Sequence, residues 1–222
     1  LTLSRGYGME SVRQRAMSTA ETVSASLSEV VDDSALELVV DLRLAFGRLL
    51  AALGANERAE KEHLDTAELS LSQGWTETAC AALALASHAA QARGDRASSG
   101  RAWRKCREAM GAWPMNRPGE RCGTLVDAVG DPLVALQVLS ALAEILVDGV
   151  EEDHSRAPII REIISRASEQ TSRCVNPPQG AVESLARVEE RIAPYGRGRG
   201  GRRRPGSTTT IRTDGRAASE GE

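Results

Sequence analysis

The sequence predicts an all-α protein, a set of antiparallel helical hairpins or a bundle, ending in a disordered C-terminal tail. Three observations lead there. Apolar residues make up 41 % of the 222-residue chain but aromatics only 3 %, so alanine, leucine and valine must fill the core. Those side chains suit closely packed helices better than β-sandwiches. β-branched runs of period two are scarce, whereas apolar residues recur at three- and four-residue steps. Beyond Tyr195 the chain is rich in glycine and arginine and has little to bury.

A weak first helix is predicted over residues 10–31, with Val12, Ala16, Ala20, Val23, Leu27 and Val30 in step among many Ser and Thr. Asp33 or Ser34 caps a stronger second helix, in which Leu38, Leu42, Ala45, Leu49 and Leu53 form one stripe and Gly54 is the stop. Asn56 caps a third, with Ala59, His63, Thr66, Ala67 and Leu71 on a face, ending at Gly74. An alanine-rich fourth runs over 76–93. The turn Gly94-Asp95 follows, and a fifth helix covers about 97–110. Pro114, Pro118, Gly119 and Gly123 mark the longest internal loop. Asp131-Pro132 is a cap followed by proline at the first helical position, and the helix it opens, 132 to about 147, is apolar nearly all round and reads as the most buried element. Two more helices follow, at about 157–174 and 181–192, separated by Pro177-Pro178. The chain thus divides into a weak N-terminal helix (1–33), helical hairpins (34–111), a C-terminal helical region (112–194) and an Arg/Gly-rich tail (195–222).

The net charge of −3 hides an asymmetry. The tail holds seven Arg against Asp214, Glu220 and Glu222, a local charge of +4. The preceding 194 residues keep 21 basic and 28 acidic residues, which is −7. An acidic body with a basic arm implies an interaction tail. Cys80, Cys106, Cys122 and Cys174 form no C-x-x-C, so free thiols in a reducing, cytoplasmic setting are expected. No apolar run approaches the roughly 18 residues of a membrane span.

Two stretches resemble tetratricopeptide-type helical hairpins. Gly47, Leu50, Gly54 and Ala59 fall where that family places a small residue, an apolar residue, a turn glycine and a small second-helix residue. Ser87, Ala90, Gly94, Ser99 and Trp103 sit at the matching offsets in the second stretch. Antiparallel helices pack closely only where small residues lie at the crossing, and a glycine reverses the chain between them. The likeness covers about residues 40–111. The step from Gly47 to Ser87 is 40 residues rather than the family's 34, His63 stands where a larger apolar side chain is usual, and the unit-ending proline is missing. The resemblance implies a protein-binding helical scaffold.

No G-x-S-x-G or Walker loop occurs, no cysteine or histidine pair has zinc-ligand spacing, and neither a catalytic residue, a metal nor a cofactor is predicted. Trp75, Trp103 and Trp113 are the candidates for anchoring a protein partner, Trp75 and Trp113 being placed beside turn residues where partial exposure is expected. The segment Gly196–Gly206 sets Arg197, Arg199, Arg202, Arg203 and Arg204 among glycines and resembles the RG-rich arms of RNA-binding and viral packaging proteins. Arginine makes planar, multi-donor contacts to phosphate and glycine lets the backbone follow it. The sequence therefore predicts a non-enzymatic scaffold or adaptor for protein–protein interaction or self-assembly. The alternative is a nucleocapsid-like or packaging protein that binds RNA or DNA through its tail.

Overall fold

The structure, a computed structural model, describes residues 14–15, 18–19, 21–22, 25–26, 36–113 and 116–196. Arg197, Arg199, Arg202, Arg203 and Arg204 lie outside the described residues, as does nearly all of the tail. Most of the predicted first helix does too, although its described pairs are helical and exposed, and Glu21 meets Arg58 at 2.8 Å.

Among the described residues the secondary structure is helical throughout, and no helix is long and apolar enough to cross a membrane. Helices α1 (Leu36–Ala52), α2 (Asn56–Ser72), α3 (Thr76–Ala92) and α4 (Arg96–Gly111) form consecutive antiparallel pairs. Their spacing is metrical: α1, α2 and α3 are each 17 residues long, and α2, α3 and α4 begin 20 residues apart. One turn explains the repeat. Gly54, Gly74 and Gly94 have φ of +77°, +74° and +85°, a region open to glycine at no steric cost. In each turn the following residue donates its N–H five residues back: Ala55 to Leu50, Trp75 to Ser70 and Asp95 to Ala90, all at 2.9 Å. That is the Schellman closure, which satisfies carbonyls a helix end would otherwise leave open. Asp95 also caps α4, accepting from Ser98 N at 2.9 Å, whereas Asn56 makes no capping bond and lies inside α2.

The crossings between these helices use small residues. At the α1–α2 crossing a Cβ on Gly47 would stand 2.3 Å from His63 Cε1, so the imidazole lies directly on the Gly47 backbone. His63 is fully buried, and burial, helped by the Arg48 charge, holds its pKa down at about 4. It packs there as a neutral ring. Between α3 and α4, Ser87 Oγ donates to Ser99 O at 3.0 Å, and the thiols of Cys80 and Cys106 each donate to the other's backbone carbonyl, at 3.9 and 3.4 Å. The hydrogen bond with Cys80 and the burial both raise the Cys106 pKa, which keeps it a thiol.

The second half is less regular. The segment read as the longest loop is shorter than predicted, because Pro118 opens a helix, α5 (Pro118–Val129), that buries Cys122, Leu125 and Val129. Proline at the first helical turn costs no hydrogen bond. Helix α6 (Pro132–Val147) starts as predicted, Asp131 accepting from Leu133 N at 2.8 Å and Val134 N at 3.2 Å, and it is buried on most faces. Helices α7 (Arg156–Arg173) and α8 (Gln179–Ile192) pack on it, and a 3₁₀ turn, Ala193–Gly196, follows. Ser155 supplies no side-chain cap to α7.

Two helices hold the halves together. α3 touches α2, α4, α5 and α6, and α6 touches α3, α4, α5, α7 and α8. One continuous core therefore runs from Val40 to Ile192, across the 111/112 boundary, with a small satellite of Phe46, Leu50, Ala59 and Ala89. Arg48 on α1 donates to Ala128 O at the C-terminal end of α5 at 2.7 Å, and Arg121 on α5 pairs with the buried Glu77 of α3. The stripe Leu38, Leu42, Ala45 and Leu49 does not face this core. The Leu residues are 40–61 % exposed, and α1 instead buries Val39, Val40, Leu44, Phe46, Gly47 and Leu50. Both faces of α1 are apolar, and only the one carrying Gly47 lets α2 approach.

Candidate binding groove

A groove of about 790 Å³ opens among the described residues, within the range of sites that enclose small molecules or short peptide segments. α6 and the end of α3 form its floor, α4 one wall, and the first turns of α8 the other. On α4 the lining residues are Arg96, Ser99, Gly100, Trp103 and Arg107, at steps of three or four except between the adjacent Ser99 and Gly100, which is one helical face. On α6 they are Gln137, Ser140, Ala141 and Glu144, again one face. Gly180, Ala181 and Ser184 complete the α8 side.

The floor is polar but satisfied. Ser140 Oγ donates to Ala181 O at 3.3 Å, tying α6 to α8, and Ser184 Oγ donates to Glu144 Oε1 at 2.5 Å. Arg107 lies 3.7 Å and Arg187 4.0 Å from the Glu144 carboxylate, so one end of the groove is closed by a charge network. Residues 107, 144 and 184 lie on different helices, and no sequence spacing could have announced them. The other end is open around Arg96 and the Gly94 turn. There the Asp95 carboxyl is held below its ordinary pKa by the backbone and side-chain hydrogen bonds from Ser98.

Gly100 on α4, like Gly180 on α8, leaves bare backbone on the groove. It sits inside α4, where glycine costs up to about 1 kcal/mol relative to alanine. A Cβ built on it meets nothing within 4 Å, so no packing within the protein explains it. Its bare backbone faces the groove beside the half-buried Trp103.

The three tryptophans fare differently. Trp103 lines the groove. Trp75, half-buried, lines a separate cleft of about 430 Å³ with Glu37, Asp41 and Asp127, beyond reach of the first. Trp113 corrects the expectation of partial exposure: it is 4 % exposed and belongs to the main core. The turn that ends α4, with Trp113 N donating to Met110 O at 3.0 Å, folds the indole back under the helix.

His63 and His154 are engaged in packing or aromatic contacts. The spacings Glu60–His63 and Glu151–His154 have the form E-x-x-H. Glu60 is bound to Arg93 at 2.5 Å, His63 is packed on Gly47, and the exposed His154 lies against Tyr195 in a tilted ring contact, centroids 4.9 Å apart. Among the described residues no group of three His, Cys, Asp or Glu could hold a metal ion. Cys80, Cys106 and Cys122 are buried free thiols, and burial pushes the pKa of Cys122 up to about 12. No protein-family model, curated protein or solved structure matches the chain.

Proposed function

We propose that this protein is a non-enzymatic helical adaptor that holds a segment of a partner protein in the groove between α4 and α8, with Trp103 as the anchor. The observation that carries the reading is the Gly100–Trp103 face: a large aromatic side chain beside a bare stretch of helix backbone, over a floor of small residues. Such a surface lets a peptide backbone approach closely while one side chain is buried on the indole. The likeness to tetratricopeptide-type hairpins supports the same reading, and the free thiols suit a reducing, cytoplasmic setting.

The test plugs the groove. Leucine at Gly100 projects into the groove from a Cβ position that meets no neighbour, and thermal unfolding confirms that the variant is folded. A photo-crosslinking residue at Gln137 captures the partner, which is then purified and titrated. Binding that weakens at least about tenfold in Gly100→Leu is the expected result. An affinity unchanged by the plug overturns the reading.

A second reading rests on the five arginines set among glycines at 196–206. In it the arm binds RNA or DNA without sequence preference and the body assembles or recruits. Anisotropy of labelled single-stranded RNA with the full chain and with a chain ending at residue 194 tests it. Salt-sensitive binding that vanishes with the arm is expected. Equal binding by both chains removes the arm from the mechanism.

A further inference from the structure

We infer that the groove selects acidic segments: its partner presents two carboxylates about five residues apart, flanking an apolar side chain. This rests on the reading of the groove as a peptide site. The first observation is charge. In a body whose first 194 residues sum to −7, α4 carries Arg96, Arg101, Arg104, Lys105 and Arg107 against Glu108 alone. Among the described residues only Arg107 of these is ion-paired, to Glu144 at 3.7 Å, and both side chains of that pair are substantially exposed, so the pair opens at little cost. Of these basic residues Arg96 and Arg107 line the groove, while Arg101, Arg104 and Lys105 stand on the other faces of the same helix and add to the positive potential around it.

The second observation is spacing. Arg96 and Arg107 stand on one face of α4, eleven residues apart, which is about 16 Å along a helix axis. An extended chain covers that distance in about five residues. Trp103 lies between them, nearer Arg107, so a bound segment in that register sets an apolar residue over the indole and a carboxylate at each guanidinium. Gly100 leaves the backbone between the two arginines uncovered.

A nucleic acid fits less well. Its phosphates repeat along the whole strand, whereas only one wall is cationic and the floor presents the Glu144 carboxylate. A peptide presents carboxylates at two positions only, and the one at Arg107 replaces Glu144 in an exposed pair rather than adding charge along the whole floor.

The experiment pans a displayed random-peptide library on the full-length protein and counter-selects on Gly100→Leu. The basic tail is present in both proteins, so its own attraction for acidic peptides cancels. Enriched peptides are then titrated, fluorescein-labelled, against wild type, Gly100→Leu and the exposed Arg96→Glu, with thermal unfolding confirming that each variant is folded. Enrichment of paired Asp or Glu around an apolar residue is the expected result, with affinity falling at least about tenfold in Arg96→Glu and falling again with salt. Groove-dependent peptides that are neutral or basic overturn the acidic preference and leave the adaptor standing. No peptide sensitive to Gly100→Leu overturns both. Labelled single-stranded RNA that binds the full chain and is lost in Gly100→Leu replaces the acidic peptide with a nucleic acid.

Discussion

The two halves of the molecule reach the same kind of core by different means. Helices α1 to α4 are cut to a common measure by three glycine turns, cross on Gly47, Ser87 and Ser99, and bury polar side chains such as His63, Thr66 and Ser70. Helices α5 to α8 vary in length, from 12 to 18 residues, and meet through Leu136, Leu139, Leu142, Ile160 and Ile163. In the first half, close approach of backbones replaces large side chains. In the second, large side chains fill the space themselves. Backbone geometry is what the first half cannot spare, and apolar volume is what the second cannot.

Substitutions can break that contrast in order of severity. Leu142→Ala, which empties a fully buried position on α6, should cost about 2–5 kcal/mol in urea unfolding. A loss below about 1 kcal/mol would mean that the second half is not volume-limited. The pH dependence of stability should carry His63. Its folded pKa, about 4, lies below the unfolded value near 6.5, so as pH falls the unfolded chain takes up the proton first. Stability from this group is full above pH 6.5, is lost between 6.5 and 4, and falls no further below 4. The difference amounts to at most about 3 kcal/mol. His63→Leu should flatten that window relative to wild type, and identical slopes in the two proteins would remove His63 from the balance.

Smaller effects sharpen the contrast. Gly47→Ala places a methyl group on a ring that has no free space, and should cost about 1–3 kcal/mol in chemical denaturation. The cost should largely vanish when His63 is alanine as well, since the two act through one contact. Gly94→Ala meets no atom but must hold φ near +85°, and should lose about 1–2 kcal/mol in thermal unfolding. Gly100→Ala, equally unobstructed but helical, should instead gain about 0.5–1 kcal/mol. If both glycines respond alike, the turn geometry is not what sets the repeat.

Much of the fold was legible because turn chemistry is local. Gly54, Gly74 and Gly94 mark the helix ends, and Asp131-Pro132 marks the start of α6, without reference to any distant residue. α5 was missed because Pro118, Gly119 and Gly123 outweighed a buried face of only Cys122, Leu125 and Val129. The buried face of α1 could not be chosen by periodicity, since Leu38, Leu42 and Leu49 recur as regularly as Val40, Leu44 and Gly47. Its partner decides: α2 needs the glycine side. The groove was half visible, in Trp103. Its floor on α6 and its other wall on α8 come from residues about 40 and about 80 positions further on, brought back by the packing of those helices.

The alanine-rich α3, buried from Ala79 to Ala90 on nearly every side, sets how the groove responds to a load. Alanine has no rotamers, so the alanines from Ala79 to Ala90 surrender no side-chain freedom on folding. In the adaptor reading, a segment entering the groove would meet alanine behind α4 and have few side chains there left to order.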